Sequence, residues 1–446
     1  MKSVSGHWAD FIQGVNVKSV PPKVLEHAKV RMLDVIGTGL AARGLKVPEL
    51  ARAFVAGSSG PATIIGHADR MMPIDAALVN ATLMNGRSED DFLRKSHPGA
   101  LTIPSALAVA EEMQLSGAAV VAGVIVGYEI VGRAFMGAPG MLPRFRASGV
   151  AGTVGAAATG AKMYGLDTSK TMNALGAAAC FAHGFGQGFL SGTTEVKLNV
   201  GMASRQGLSA AILAKLGATA SAVAFEGDAG YFRAFSNTAE HADEAIRDLG
   251  TRYLIEETVY KECPICIFTQ TPVALARQIA PKIDASKIER IVLTAPDLTY
   301  TNPGYLNDKP YRTHLQAAIS ARFCTAAALL GMPVESYELY DQLEEARVLA
   351  LAEKIELVNR GVDNESLDLE VTVQGGTIHR ASGVEHDTLF PTKDKVLAKF
   401  RRLTGPPGAS RGTGPVIDTE KVLATIMSLE EVDDIRVLTD LLRTAK

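Results

Sequence analysis

From about Val20 to Phe225 the apolar positions of this chain recur three and four residues apart, and most of them are Ala, Gly, Leu, Val or Met. That period belongs to helices with a buried stripe, not to strands. It predicts helices over Val24–Leu40, Ile74–Met84, Gly117–Phe135, Ala151–Tyr164, Ser169–Phe181 and Ala203–Lys215. Gly149, Gly152, Ala156 and Gly160 repeat at helical spacing. Small residues so placed let backbones approach, so several buried helices are read as packed on one another. Gly165-Leu166-Asp167 and Leu216-Gly217-Ala218 mark turns, and Asp167, Thr168 and Ser169 offer oxygens for an N-cap.

After about Tyr260 the period shortens to two. Glu289–Ala295 and Leu367–Val373 alternate apolar and polar residues, and Gln374-Gly375-Gly376 turns the second run into Thr377–Ala381, a hairpin signal. Helical patterns over Leu315–Leu330 and Asp341–Lys354 accompany these strands, and Lys393–Arg402 and Thr419–Thr444 are helical again. The reading is a mainly α fold. A large all-helical domain spans 1–265 and 403–446, and a smaller α+β domain over 266–402 is inserted into it.

Composition narrows the partners more than the fold. The 446 residues allow roughly two to three domains. A net charge of −3, with no Lys/Arg-rich run and no aromatic ladder, gives nothing to attract nucleic acid or an anionic membrane. The apolar stretch Gly117–Gly132 is too short for a membrane span, and Glu129 interrupts it, so it is read as a buried helix. Residues Met1–Trp8 lead into no secretory apolar block. Four cysteines do not make a disulfide framework, and a reducing, cytoplasmic setting is expected.

The densest candidate chemistry lies in Ser88–Gly99, which holds Glu89, Asp90, Asp91, Arg94, Lys95 and His97 just ahead of an apolar helix. Pro98 restricts His97 to extended geometry and so aims its imidazole. A solvated connection with a chance histidine is the equal alternative. Arg144, Arg146 and Ser148 precede a small-residue helix, a natural receptor for a carboxylate or phosphate. Lys197 sits amid apolar and glycine positions, where desolvation lowers an amine's pKa. Lys261 falls at the composition change, where clefts form.

Other motifs carry less. Cys263-x-x-Cys266 lacks the further ligands of a structural zinc site and the βαβ setting of a redox motif. Phe225–Phe232 is glycine-rich but is neither a Walker A loop nor a dinucleotide fingerprint. His183 reads as a core histidine, and His314 and His379 are weaker still.

The order of these pieces is distinctive. Asn80-Ala-Thr-Leu-Met-Asn-Gly86 is followed by the acidic stretch and His97-Pro-Gly-Ala, the Gly149–Ala158 helix, and Glu195-Val-Lys-Leu-Asn-Val-Gly-Met-Ala203. Glu226-Gly…Gly230-Tyr-Phe, Tyr260-Lys-Glu-Cys-Pro264 and Ala326–Gly331 complete the series. Over nearly the whole chain this resembles the MmgE/PrpD family, which includes 2-methylcitrate dehydratase, cis-aconitate decarboxylase and iminodisuccinate epimerase. The resemblance implies an all-helical domain with an inserted α+β lid domain, a homodimer, a small polycarboxylate substrate, and no metal or organic cofactor. His97 falls on the family's His-Pro histidine, and Lys197 and Lys261 fall on its two site lysines. Asp90 and Asp91 lie in its acidic stretch, here shortened.

Two departures bear on the reaction. Arg146 stands where dehydratase and decarboxylase relatives have a histidine, and Phe323 where they commonly have a tyrosine. The chain looks most like the iminodisuccinate epimerase member, an isomerase that would invert an α-carbon by acid/base proton transfer. On that reading His97 and Lys261 flank the stereocentre and Asp91 orients His97 or tunes its pKa. Lys197, Arg146, Ser148 and Arg94 would hold carboxylates. A hydro-lyase or decarboxylase on a tricarboxylate is the alternative, and a non-catalytic helical binding protein is the alternative of another class.

Overall fold

The helices predicted from small-residue spacing are present and pack as that spacing requires. A computed structural model describes residues 2–362, 365–384, 388–390, 392–405 and 417–444. At the centre lies the helix Ala147–Met163, packed against Gly117–Met136, Pro98–Met113, Thr168–Phe181 and Glu195–Lys215. A Cβ at Gly207 would come within 2.3 Å of the Thr153 carbonyl oxygen, and one at Gly155 within 2.2 Å of Val131. Only glycine permits these crossings. One continuous core, including Trp8, Met32, Leu101, Val124, Val154 and Leu208, fills the bundle. Strand is confined here to a two-residue pair, Ala62–Thr63 with Arg70–Met71.

The Gly117–Met136 helix is apolar and long enough to cross a membrane by length and composition, yet 83% of its most apolar window is buried inside the protein. Its two charged residues explain how it tolerates that burial. Arg133 Nε donates to Glu129 Oε1 at 2.6 Å and the guanidinium also reaches the Arg247 carbonyl. The other Glu129 oxygen accepts from Leu254 N at 2.8 Å. Every charge in this group has a partner.

A second core, from Cys263 to Leu389, belongs to the α+β unit. Its four-stranded sheet runs Ile355–Asn359, Ile288–Ala295, Ser366–Val373, Ile378–Val384. The first pairing is parallel and the other two antiparallel. The predicted hairpin is there, with Val371 opposite His379 and Thr372 opposite Ile378. Gly375 and Gly376 take φ of 89° and 80° at its turn. The helices Ile267–Ile279 and Ala321–Leu329 pack on each other in this unit, the first also against the two hairpin strands.

Several boundaries differ from the sequence reading. The single helix expected over Leu315–Leu330 is two, because the Ser320 side chain accepts from Phe323 N and caps a new helix. The strand Ile355–Asn359, directly after the helical pattern Asp341–Lys354, was not expected. The helix Lys393–Thr404 had been assigned largely to the α+β unit. Instead it packs on the bundle helix Pro22–Ala41, with Phe400 in the bundle core and Val396 against Val30 and Tyr260. The chain therefore returns to the bundle about ten residues before the expected junction at 403.

Candidate active site

The site begins with the loop between the helices Pro73–Met84 and Pro98–Met113. Ser88, Arg94 and Lys95 sit there at φ of 57°, 46° and 65°. Each such non-glycine residue costs about 1 kcal/mol or more, a strain that clusters at functional sites. Phe92 and Val259 exchange backbone hydrogen bonds of 3.1 and 2.8 Å, which tie this loop to the segment leading into Lys261. Pro98 occupies the first helical position, where no N–H is needed, and leaves His97 as the cap residue.

His97 Nδ1 lies 3.0 Å from Asp90 Oδ2 and 3.0 Å from the Asp91 carbonyl oxygen. Both are acceptors, so the neutral ring carries its proton on Nδ1 and keeps a lone pair at Nε2. Burial pushes the imidazole down to about 4 against the pull of Asp90, with the Lys261 and Arg146 charges adding to the drop. His97 is thus a neutral base at physiological pH. Burial opposes the Asp90 carboxylate, but His97, Lys261 and Lys197 outweigh it and hold Asp90 well below the usual carboxylate range. Asn85 Nδ2 donates to both Asp90 oxygens at 3.0 Å.

Asp91, not Asp90, was expected to orient His97, and here the sequence reading needs correction. The Asp91 side chain accepts from Tyr128 OH and, at 3.2 Å, from Gly99 N, so it anchors the loop to the bundle. Burial raises it to about 7, against the hydrogen bond from Tyr128. Only its main-chain carbonyl reaches His97. Arg94 is a second correction: it pairs with Glu257 and does not line the cavity, whereas its neighbour Lys95 does.

Two lysines close on the same turn from different elements. Lys197, in the first turn of Glu195–Lys215, donates to the Asn85 carbonyl at 2.7 Å and to Ser88 Oγ. Lys261 donates to the Ser88 carbonyl and stands 4.0 Å from Asp90 Oδ1. Burial drives Lys197 down to about 7, with the Lys261 and Arg146 charges adding to the shift and Asp90 resisting it. Lys261 is lowered by burial as well.

Arg146 and Ser148 open the helix Ala147–Met163, whose first N–H groups lack intrahelical acceptors. Both side chains are buried and line the cavity. Arg146 Nη1 and Ser148 Oγ have no hydrogen-bond partner, and Arg146 makes no ion pair among the described residues. Burial lowers Arg146 to about 10, so it stays charged. The cavity, of about 180 Å³, therefore brings together His97, Lys197, Lys261, Arg146 and Ser148 from four separate segments.

One supporting residue escaped the sequence reading. Lys399 Nζ, buried behind the site, donates to Asp34 Oδ1 at 2.7 Å, to the Lys261 carbonyl at 2.8 Å and to the Glu89 carbonyl. It pins the backbone of both site loops at once. A signal was present: Val396, Phe400 and Leu403 define the buried face of its helix, and Lys399 sits on that face.

The remaining motifs fall outside the cavity or serve structure. Gln270 folds the Cys263–Cys266 turn by accepting from Glu262 N and Cys263 N and donating to the Cys263 carbonyl. Burial pushes the Cys263 thiol up to about 12, which makes it inert. Phe323 packs on Tyr311 in the α+β core and does not line the cavity. His314 Nδ1 donates to Asp341 Oδ1 at 3.0 Å and the ring stacks on Tyr337 at 3.9 Å, beside the site but not in its lining.

Comparison with known proteins agrees with this architecture. Residues 6–244 match the MmgE/PrpD N-terminal domain and residues 263–411 the MmgE/PrpD C-terminal domain. The human protein named cis-aconitate decarboxylase is 26% identical over 99% of this chain and 95% of its own length. The mouse protein of that name is 25% identical over 99% and 94%. A cis-aconitate decarboxylase of Aspergillus terreus is 23% identical over 98% and 94%.

Proposed function

The chain belongs to the MmgE/PrpD family, and from that premise we propose that it is a lyase working at a carbon beside a carboxylate of a small polycarboxylic acid. The observation that carries this reading is the His97 imidazole, held by the Asp90 carboxylate, facing the same cavity as Lys197 and Lys261. When a carboxylate leaves as CO₂, its bonding pair stays on carbon and a proton must be supplied there. Lys197, poised at about 7, is placed to supply it. When carbon gives up a proton instead, His97 Nε2 receives it. In both directions negative charge builds next to the remaining carboxylate, and Lys197, Lys261 and Arg146 offset it in a site too buried for water to do so. The relatives named as decarboxylases favour the lyase over the isomerase expected from sequence.

Stereochemical inversion remains a second reading, favoured by one feature. Arg146 is a fixed cation, able to hold a further carboxylate but not to exchange a proton near neutral pH. Incubation with cis-aconitate, 2-methylcitrate and iminodisuccinate in D₂O, followed by NMR, separates the readings. Release of CO₂ or water supports the lyase, and deuterium wash-in with an unchanged skeleton supports the epimerase. His97→Ala is expected to lower deuterium exchange by about 10²–10⁴-fold. Absence of turnover and exchange with every polycarboxylate, or near-normal exchange in His97→Ala, overturns the proposal.

A further inference from the structure

The cavity is two-faced. Its cations and His97 gather on the side formed by the 85–97 loop, Lys197 and Lys261, and much of their hydrogen-bonding capacity is already taken. Lys197 is bound to Asn85 and Ser88, and Lys261 to Ser88. Among the described lining residues the donors left without partners are at the other helix end, Arg146 Nη1 and Ser148 Oγ, both in residues more than nine-tenths buried, whereas the lysine side leaves the acceptor Asn85 Oδ1 unpartnered. Much of the remaining lining is apolar, including Leu142, Phe189, Ile265, Phe268 and Ile319. Phe189 lies under the Arg146 guanidinium at 5.3 Å and Phe268 under Lys95 at 4.4 Å, so the aromatic faces reach up to the charged rim. Ile265, Phe268 and Ile319 are buried, so this wall is interior to the site and not loose surface.

A compact acid with a carboxylate on every arm would press one of them against this wall. An unpaired carboxylate there loses its hydration and gains nothing in return. We propose that the substrate is an amphipathic carboxylic acid: one carboxylate seated on Arg146 and Ser148, the reacting carbon between His97 and the lysines, and an alkyl or aryl substituent laid on Phe189, Phe268 and Ile319. This rests on the acid/base reading of the same site and narrows its substrate to carboxylates bearing an apolar arm.

The test is a ligand series on the full-length protein: succinate, then methyl-, propyl-, pentyl- and benzylsuccinate, read by thermal shift and by deuterium wash-in. Affinity is expected to rise roughly two- to fourfold per added methylene until the cavity is full. Ile319→Asp should abolish that gradient, while Arg146→Gln should weaken the whole series alike. Equal or falling affinity with chain length, with exchange still present, overturns the apolar arm and leaves the acid/base reading standing. No binding by any member overturns the apolar arm alone, because the acid/base reading is judged separately on turnover and exchange with cis-aconitate, 2-methylcitrate and iminodisuccinate. The gradient is measured on the unaltered protein, so a variant that fails to fold does not blunt the test.

Discussion

Arg133 and Arg146 are both buried guanidinium groups, on neighbouring stretches of the bundle, and they are treated in opposite ways. Arg133 is matched by Glu129 and the Arg247 carbonyl, inside a group where every charge is answered. Arg146 has a nitrogen without partner and no ion pair among the described residues, beside a cavity. A buried charge is costly in either place. Where its partner is built in, it holds the fold together. Where no partner is built in and the group lines a cavity, it suits a carboxylate ligand, the role proposed for Arg146.

The strongest way to break this contrast is to remove each charge in turn. Arg133→Met leaves Glu129 buried and unpaired, and should cost about 3–5 kcal/mol in a urea titration. Arg146→Met strands no carboxylate and should cost under about 1 kcal/mol, or stabilise, while carboxylate binding is lost. Equal destabilisation by the two would erase the distinction. Next in size is the pair of adjacent acids. Asp90→Asn withdraws the charged acceptor at His97 Nδ1, leaving the Asp91 carbonyl, and should cut deuterium exchange by about 10²-fold. Asp91→Asn preserves the shape at Tyr128 and should change exchange by less than about threefold. Reversal of that order would return the orienting role to Asp91.

Acid titration sharpens the comparison with smaller effects. Because burial holds His97 at about 4 in the folded protein, kcat/KM should stay level as pH falls through 6.5 and drop only near 4. Asp90 raises that value, so Asp90→Asn should move the drop to still lower pH. Linkage gives a stability test on the same residues. His97 is depressed on folding, so its contribution to stability is lost as pH falls from 6.5 toward 4. Asp91 is raised to about 7, binds its proton more tightly when folded, and loses stability as pH rises through that range. The two slopes oppose each other, and Asp91→Asn should make stability climb more steeply between about pH 4 and pH 7.

What the sequence made legible follows physical range. Helices such as Val24–Leu40 and the hairpin at Gly375-Gly376 rest on local periodicity and turn chemistry, and both were readable. His97, Lys197 and Lys261 were singled out from their local sequence and again by the family resemblance, and the cavity unites them. The roles of Asp90, Asp91 and Arg94 were not readable, because each is decided by how the loop folds and which partner it meets: Asn85 and His97 within the loop for Asp90, Tyr128 on another helix for Asp91, and Glu257 for Arg94. The helix Lys393–Thr404 was assigned to the wrong core for the same reason. Its amphipathic pattern shows that one face is buried but not against which neighbour.

That helix also fixes an order of assembly. Asp34 is buried near the start of the bundle, and the ammonium that neutralises it comes 365 residues later. A nascent chain on the ribosome therefore makes the entire sheet-bearing unit before Lys399 can reach Asp34 and the Lys261 carbonyl. Until then the carboxylate favours water, and the early helices have reason to stay loosely docked. Competence for chemistry therefore waits for Lys399, because until it docks the backbone on both sides of the site lacks its shared donor.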